Sequence, residues 1–442
     1  MSKKKKNPVL AFFASVKLAL FLLFVLAATS IIGTVVPQNS PAEEYVQLYG
    51  KNMARFMEVT GIVDMYHSPW FLGLLGLFCL NLIVCSLDRI PAVWRLVTMD
   101  NLNVKETRLR KMRLRKEFSK EGTVQEVASS VKTWLASKGW KADQREQGDS
   151  ILLFAQKGAW TRFGVYIVHT SILLIIVGAL IGSTFGFKGS VMIPETKQSD
   201  VIYSFKTGEK IPLGFTVRCD RFVIEYYKNG MPKEYRSDLT ILENNTEVLH
   251  KAIEVNDPLT YRGITFYQSS YQPYQDFVIR VKNTKTGAAE SRVVSPGKQI
   301  VWSQGGASYG IINMEMLGES VRRVKVWFTD NQGDPATFWV ETDREAIIKM
   351  PSADFSFTAK QLYATGLQVT RDPGVWIVYA GCGTMLLGLI VAFFMSHRRL
   401  WVLVERKNNK TAVFFAGSAN KNKLGFEKTF TDLTDEFQET GP

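Results

Sequence analysis

The side chains best placed to do chemistry in this chain are its four histidines, His67, His169, His250 and His397. His169 lies inside an uninterrupted apolar run from Phe163 to Phe187. A polar, titratable group in hydrocarbon costs of the order of a few kcal/mol unless it is paired or ligating. His67 stands at the mouth of a second apolar run, in Tyr66-His67-Ser68-Pro69-Trp70-Phe71. Both positions suit an imidazole that holds something. The bland alternatives are a buried imidazole hydrogen-bonded to a neighbouring helix, worth about 0.6 kcal/mol, and an interfacial anchor. His250 sits beside Lys251 in a polar region and reads as a surface residue. His397 belongs to the basic flank His397-Arg398-Arg399 and reads as topogenic.

Cysteine excludes two chemistries. Cys79 and Cys85 share one apolar run, Cys382 lies in another, and only Cys219 lies in the large polar region. With no C-x-x-C the chain has no thioredoxin-like dithiol, and with no C-x-x-C-H it is not itself a c-type cytochrome. Cys219 has no partner for a disulfide within its own region.

Membrane spans must position the histidines. The mean hydropathy of −0.02 hides four apolar runs separated by polar segments. Each run matches the roughly 20 residues that cross a hydrocarbon core. The first covers Leu18 to Val36. Lys3 to Lys6 resemble the basic end of a secretory signal, but the run exceeds the usual ~7–15 residues and no clear A-x-A site follows, so a retained helix is expected. The second covers 70–87, with Ser68 as N-cap and Pro69 at the first helical position. The third covers 163–187, where Gly178 and Gly182 permit close helix contact. The fourth covers 375–395, opened by Asp372-Pro373-Gly374.

The formal charge of +13 is explained by the Lys/Arg excess of cytoplasmic segments, and no nucleic-acid motif is present, so no nucleic-acid partner is expected. The basic flanks place both termini and the second connection in the cytoplasm. The expected order is a cytoplasmic N-terminus and first span (1–37), a short external loop (38–69), the second span, a cytoplasmic basic α+β segment (88–162), the third span, a large external domain (188–374), the fourth span, and a cytoplasmic tail (396–442).

Within 88–162, Thr123 and Glu126 form a capping box. Val124, Val127, Val131, Trp134 and Leu135 make one helical stripe that Gly139 can end. Gly148-Asp149 separates two short strands. The run Arg108 to Lys116 suits anionic lipid as well as it suits a solvated charge run. The external segment alternates at Phe215, Val217 and Cys219, at Phe277, Ile279 and Val281, and at Val324, Val326 and Phe328. With turn signals at Asn229-Gly230 and Asn244-Asn245, it is expected to be β-rich, a sandwich or partial barrel. The fold class is therefore an integral membrane protein with four transmembrane α-helices, a large external β-rich domain and a small cytoplasmic α+β insertion.

Four features together resemble a known family. They are Tyr66 to Phe71 opening the second span; Gly164-Val165-Tyr166-Ile167-Val168-His169 entering the third; Val255-Asn256-Asp257-Pro258-Leu259 with Tyr261-Arg262-Gly263-Ile264-Thr265-Phe266-Tyr267-Gln268-Ser269-Ser270 in the external segment; and Asp372-Pro373-Gly374 before a Gly-rich span ending in His397-Arg398-Arg399-Leu400-Trp401. Nearly the whole chain resembles ResB (CcsB) of the System II cytochrome c biogenesis pathway.

That resemblance implies a non-autonomous subunit of a cytochrome c haem lyase in the bacterial inner membrane. It implies a ResC/CcsA-type membrane partner, haem b as the transported or bound substrate, and apocytochrome c as the acceptor at its C-x-x-C-H sites. The Trp-rich haem-handling motif of the family belongs to the partner and has no counterpart here. The resemblance singles out His67 and His169 as iron ligands, since neutral imidazole is a common axial ligand. Their different depths argue against both binding one haem. Arg162, near His169, suits a haem propionate, or is simply a positive-inside residue. Arg262 is either a structural turn or a contact for haem or apocytochrome. The rival readings are a membrane-anchored sensor with an external β domain, and a b-type electron-transfer cytochrome. The latter needs imidazole pairs on facing helices.

Overall fold

The computed structural model describes residues 7–227, 232–317, 320–407 and 410–440. The chain forms two compact units, Met1–Leu180 with Gly374–Pro442, and Ile181–Pro373.

Among the described residues, four helices are long and apolar enough to cross a membrane: Val16–Val35, Pro69–Thr98, Ala159–Phe185 and Val375–Phe393. Their starts follow local chemistry. The Ser68 hydroxyl accepts from the Phe71 amide and Pro69 occupies the first helical position, where its missing N–H costs nothing. The second helix outlasts its apolar run by a full turn and more, continuing through Asp88 and Arg89 to Thr98. The charges that end the hydrophobic signal do not end the backbone hydrogen bonding. Glycine sets the contact between the third and fourth helices. A Cβ on Gly178 would lie 2.9 Å from Val378 N, and one on Gly381 would lie 3.1 Å from Ile175 N. Gly182, expected at a helix contact as well, instead packs against the Asp372 carboxylate.

The 38–69 connection is more than a loop. It holds helices Ala42–Tyr49 and Lys51–Val59, joined at Gly50 with φ 78°, and the 3-10 turn Ile62–His67. Tyr45 of the first helix and Ala54 and Met57, one turn apart on the second, bury against Val36, Ile62 and Val63.

The α+β segment expected within 88–162 differs in one basic respect: it is not a self-contained insertion. Its five antiparallel strands run in the order Leu114–Lys120, Lys410–Ala419, Arg398–Lys407, Ser150–Lys157 and Ala142–Gln147. Residues 396–442, expected as a tail, thus supply two of the sheet's central strands and the helix Lys423–Thr440. The reason is visible in Leu400 to Val404, which are all buried. A short continuous apolar run suits a strand covered on both faces. One face packs under the helix Val124–Ser137 and the C-terminal helix, through Val127, Val131, Val402, Phe415 and Phe437. The other packs under Leu102 and Leu109. The capping box is present as expected, with Thr123 N donating to Glu126 and Glu126 N to Thr123.

The second unit is antiparallel β structure. Its larger sheet runs Ala289–Val294, Ile264–Asn283, Asp354–Arg371, Phe187–Pro194, Gln198–Ser204, Lys210–Tyr226, Pro232–Glu243 and Thr246–Ile253. A smaller sheet runs Gln299–Trp302, Ala307–Leu317, Ser320–Thr329 and Ala336–Glu341. The alternating triplets expected to face inward do so. Val217, Cys219, Phe277, Ile279, Val324, Val326 and Phe328 are all fully buried, and Phe215 and Val281 nearly so. One core combines both sheets, as in a sandwich. The other, around Val217, Leu239 and Phe266, draws only on the larger sheet, which must curl to bury one face against itself. Asn244 and Asn245 have φ 49° and 64° and make the expected tight turn. Asn229-Gly230 and Lys3 to Lys6 lie outside the described residues. Burial and the carboxylates of Glu195, Asp220 and Asp238 push the Cys219 thiol up to about 12, so it stays a protonated core residue.

Candidate functional site

The site begins with two polar stripes on apolar helices. On the second helix Asn81, Cys85 and Arg89 recur every four residues, which places them on one face. Around the start of the third helix Arg162, Tyr166 and His169 recur at spacings of four and three. The two stripes line one cavity of about 400 Å³, completed by Val16 and Ala19 of the first helix.

The hydrogen bonds settle the tautomer of His169. Ser86 Oγ donates to Leu82 O at 2.7 Å, which uses its only proton. Its 2.9 Å contact with His169 Nδ1 must therefore be an N–H donated by the imidazole. The lone pair of His169 is left on Nε2. The Tyr166 ring stands edge-on to the imidazole at 6.3 Å between centroids.

Asn81 is fully buried. Its amide nitrogen donates to Phe13 O at 2.6 Å and Ser15 O at 3.2 Å, stitching the break between the helix Pro8–Phe13 and the first span. Its Oδ1 has no hydrogen-bond partner among the described residues. A buried acceptor without a partner costs about 1–3 kcal/mol, and this one belongs to a cavity-lining residue.

Arg162 is held from behind. Its Nε donates to His397 Nδ1 at 2.8 Å, while His397 Nε2 donates to Gln156 Oε1 at 2.9 Å. The His397 amide donates to Asn420 Oδ1. Burial, with Arg162 and Arg399 nearby, lowers the His397 pKa to about 4, so the ring is a neutral acceptor at pH 7. This departs from the topogenic role that its basic flank suggested. Among the described residues neither Arg162 nor Arg89 has a carboxylate partner. The cavity lining therefore combines apolar residues, two guanidiniums without a carboxylate among the described residues, and an imidazole whose Nε2 is left unspent. Such a set suits an apolar ligand carrying carboxylates and a Lewis-acidic centre.

The other expected residues fall elsewhere. His67 ends the 3-10 turn, its Nδ1 2.5 Å from Asp64 Oδ1. From Pro69 to Ser86 the second helix rises about 25 Å at 1.5 Å per residue, so His67 and His169 are not brought together. Arg262 belongs to the second unit. With φ 49°, beside Gly263 at 75°, it forms the two-residue turn between Leu259–Tyr261 and Ile264–Asn283. Its side chain pairs with Glu243 at 2.6 Å and lies over the Tyr261 ring. His250 is exposed, 2.9 Å from Thr240 Oγ1.

Ser86, Asn81 and Arg89 escape a reading that looks only for histidine. The four-residue recurrence of Asn81, Cys85 and Arg89 was the available signal, hidden because the apolar run ends before Arg89.

Comparison with known proteins matches the chain to the model of the ResB-like family over residues 16–348 and 316–431. The chain is 27% identical to the cytochrome c biogenesis protein CcsB of Synechococcus sp. strain JA-2-3B'a(2-13), over 98% of this chain and 92% of that protein. It is 28% identical to CcsB of Gloeobacter violaceus, over 99% of this chain and 92% of the relative. With the cytochrome c biogenesis protein Ccs1 of Porphyra purpurea it shares 28% identity, over 98% and 97% of the two chains.

Proposed function

The chain belongs to the ResB-like family, and on that premise we propose that it is the ResB-type subunit of a System II cytochrome c synthetase. With a ResC/CcsA-type partner it moves haem b across the bacterial inner membrane. The complex then joins haem to apocytochrome C-x-x-C-H sites, each cysteine S–H adding across a haem vinyl group to form a thioether. Both termini and the α+β unit face the cytoplasm, and the β-rich unit faces outward, in keeping with the basic flanks of the spans.

The observation that carries this reading is the His169 cavity. Haem is a flat apolar body with two carboxylates and an iron that takes axial nitrogen. Arg89 and Arg162 suit the propionates, and His169 Nε2 suits the iron. A cavity of about 400 Å³ falls within the roughly 300–1,000 Å³ of small-molecule sites. His169 is the one histidine among the residues that line it, so the second axial ligand comes from the partner. His67, oriented by Asp64 in the way second-shell carboxylates orient ligating imidazoles, serves a separate outer station.

The test is co-purification with the neighbouring polytopic partner, followed by haem staining and an assay of c-type cytochromes in a deletion strain. The reading predicts haem in the complex and loss of c-type cytochromes on deletion. A haem-free complex, or normal cytochrome maturation without this chain, contradicts it.

A further inference from the structure

A second pocket of about 460 Å³ lies in the α+β part of the first unit. It is separate from the His169 cavity in its lining and in its chemistry. The run Arg108 to Lys116 divides around it. Arg110 pairs with Glu106 and Glu405, Arg113 with Glu427, and Lys116 with Asp435. Arg108 and Lys111 are exposed, line the pocket, and have no carboxylate partner among the described residues.

Two orphan polar atoms belong to the same lining. Arg399 lies half-buried over the Trp401 ring, 5.3 Å from its centroid. It reaches Ser418 Oγ at 3.5 Å, and its Nε is buried without a partner among the described residues. Asn101 is 2% exposed. Its amide nitrogen donates to Met99 O and its backbone carbonyl accepts from Trp401 Nε1, yet its Oδ1 has no partner among the described residues. A buried donor on a cation next to further cations is costly to leave unpaired, and an anion is the acceptor that also offsets the charge. Met99, Val104 and Met112 add apolar wall, and Arg113 and Lys423 add further positive charge. Met99 directly follows the last residue of the second membrane helix, and Arg399 comes shortly after the fourth ends at Phe393. The pocket therefore sits where two of the apolar helices hand over to the α+β part of the unit.

We propose that this pocket binds the headgroup of one anionic phospholipid, with Arg399, Arg108 and Lys111 holding the phosphate and the apolar rim meeting the acyl chains. Phosphatidylglycerol is the natural probe, because its head carries both a phosphate to accept from Arg399 Nε and hydroxyls to donate to Asn101 Oδ1.

Full-length protein in detergent is titrated separately with phosphatidylglycerol, phosphatidylcholine and inorganic phosphate, and bound lipid is counted by native mass spectrometry alongside thermal unfolding. The expected result is one retained phosphatidylglycerol per chain, preferred over phosphatidylcholine by about tenfold or more. That preference disappears in Arg399→Gln. Because Arg399 also packs on Trp401, the exposed double variant Arg108→Gln/Lys111→Gln is the second test, and it loses most of the preference while unfolding at the unliganded temperature. Equal binding of phosphatidylcholine overturns the proposal, as does unchanged phosphatidylglycerol binding in both variants. Protection by inorganic phosphate equal to that by the lipid makes the site one for a free anion and overturns the lipid assignment.

Discussion

His169 and His397 are both withdrawn from bulk water, yet their surroundings make them opposite groups. Ser86 accepts the Nδ1–H of His169 and leaves Nε2 unspent on a residue that lines a cavity. His397 spends both nitrogens inside the protein, one accepting from Arg162 and the other donating to Gln156. Burial of an imidazole therefore does not mark a ligand. What suits an imidazole to a ligand role is a nitrogen that the neighbours leave unspent. The two are also linked, since His397 fixes the guanidinium that shares the cavity with His169.

The strongest way to break this contrast is to remove each imidazole in turn. His169→Ala is expected to lower haem retained by the purified complex by tenfold or more, read from haem stain and absorbance, with the chain still inserted. Full haem absorbance with normal cytochrome maturation would remove His169 from ligand duty.

His397 predicts a stability effect instead. Its pKa lies near 4 in the folded chain and near 6.5 unfolded. Above pH 6.5 the ring is neutral in both states and its contribution is complete. As pH falls from 6.5 to 4 the unfolded chain takes up the proton first, so stability drops, by of the order of 3 kcal/mol in full. Thermal unfolding followed across this window should fall with acid in the parent and fall less in His397→Gln; parallel curves would show that the ring titrates freely when folded.

A smaller effect is expected from Ser86→Ala. Without the acceptor the tautomer is no longer fixed, and haem retention should weaken several-fold with a shifted absorption band. Ser86→Thr restores both, because it restores the hydroxyl. A purely packing role would leave the band in place. The smallest effect belongs to Arg262→Asn. Asparagine tolerates the positive φ of the turn, so stability should change by less than about 1 kcal/mol. A loss of cytochrome maturation with an intact fold would mark Arg262 as a contact for haem or apocytochrome.

The spans were legible because hydrocarbon demands length and apolarity, and both are written locally. So were the alternating strands around Phe277 and Val324, and the turn at Asn244-Asn245. The α+β sheet was half legible. The helix of Val124 announced itself by its cap and stripe, but the strand pairing of Leu114–Lys120 with Lys410–Ala419 bridges almost 300 residues and leaves no local trace. His169 was legible as an anomaly in an apolar run. Ser86 was not, because serine is ordinary in a helix and becomes informative only when its proton is already spent on Leu82. The role of His397 was masked by its basic flank, and only the placement of Gln156 and Arg162 reveals a neutral acceptor.

The central claim is that Nε2 of His169 is a ligand position. The direct measurement is the absorption spectrum of haem in the partner-bound complex carrying His169→Gly, with and without added imidazole. The account predicts that the variant loses the six-coordinate low-spin spectrum and that free imidazole, entering the space left at His169, restores much of it. A variant whose haem content and spectrum match the parent without imidazole would contradict it.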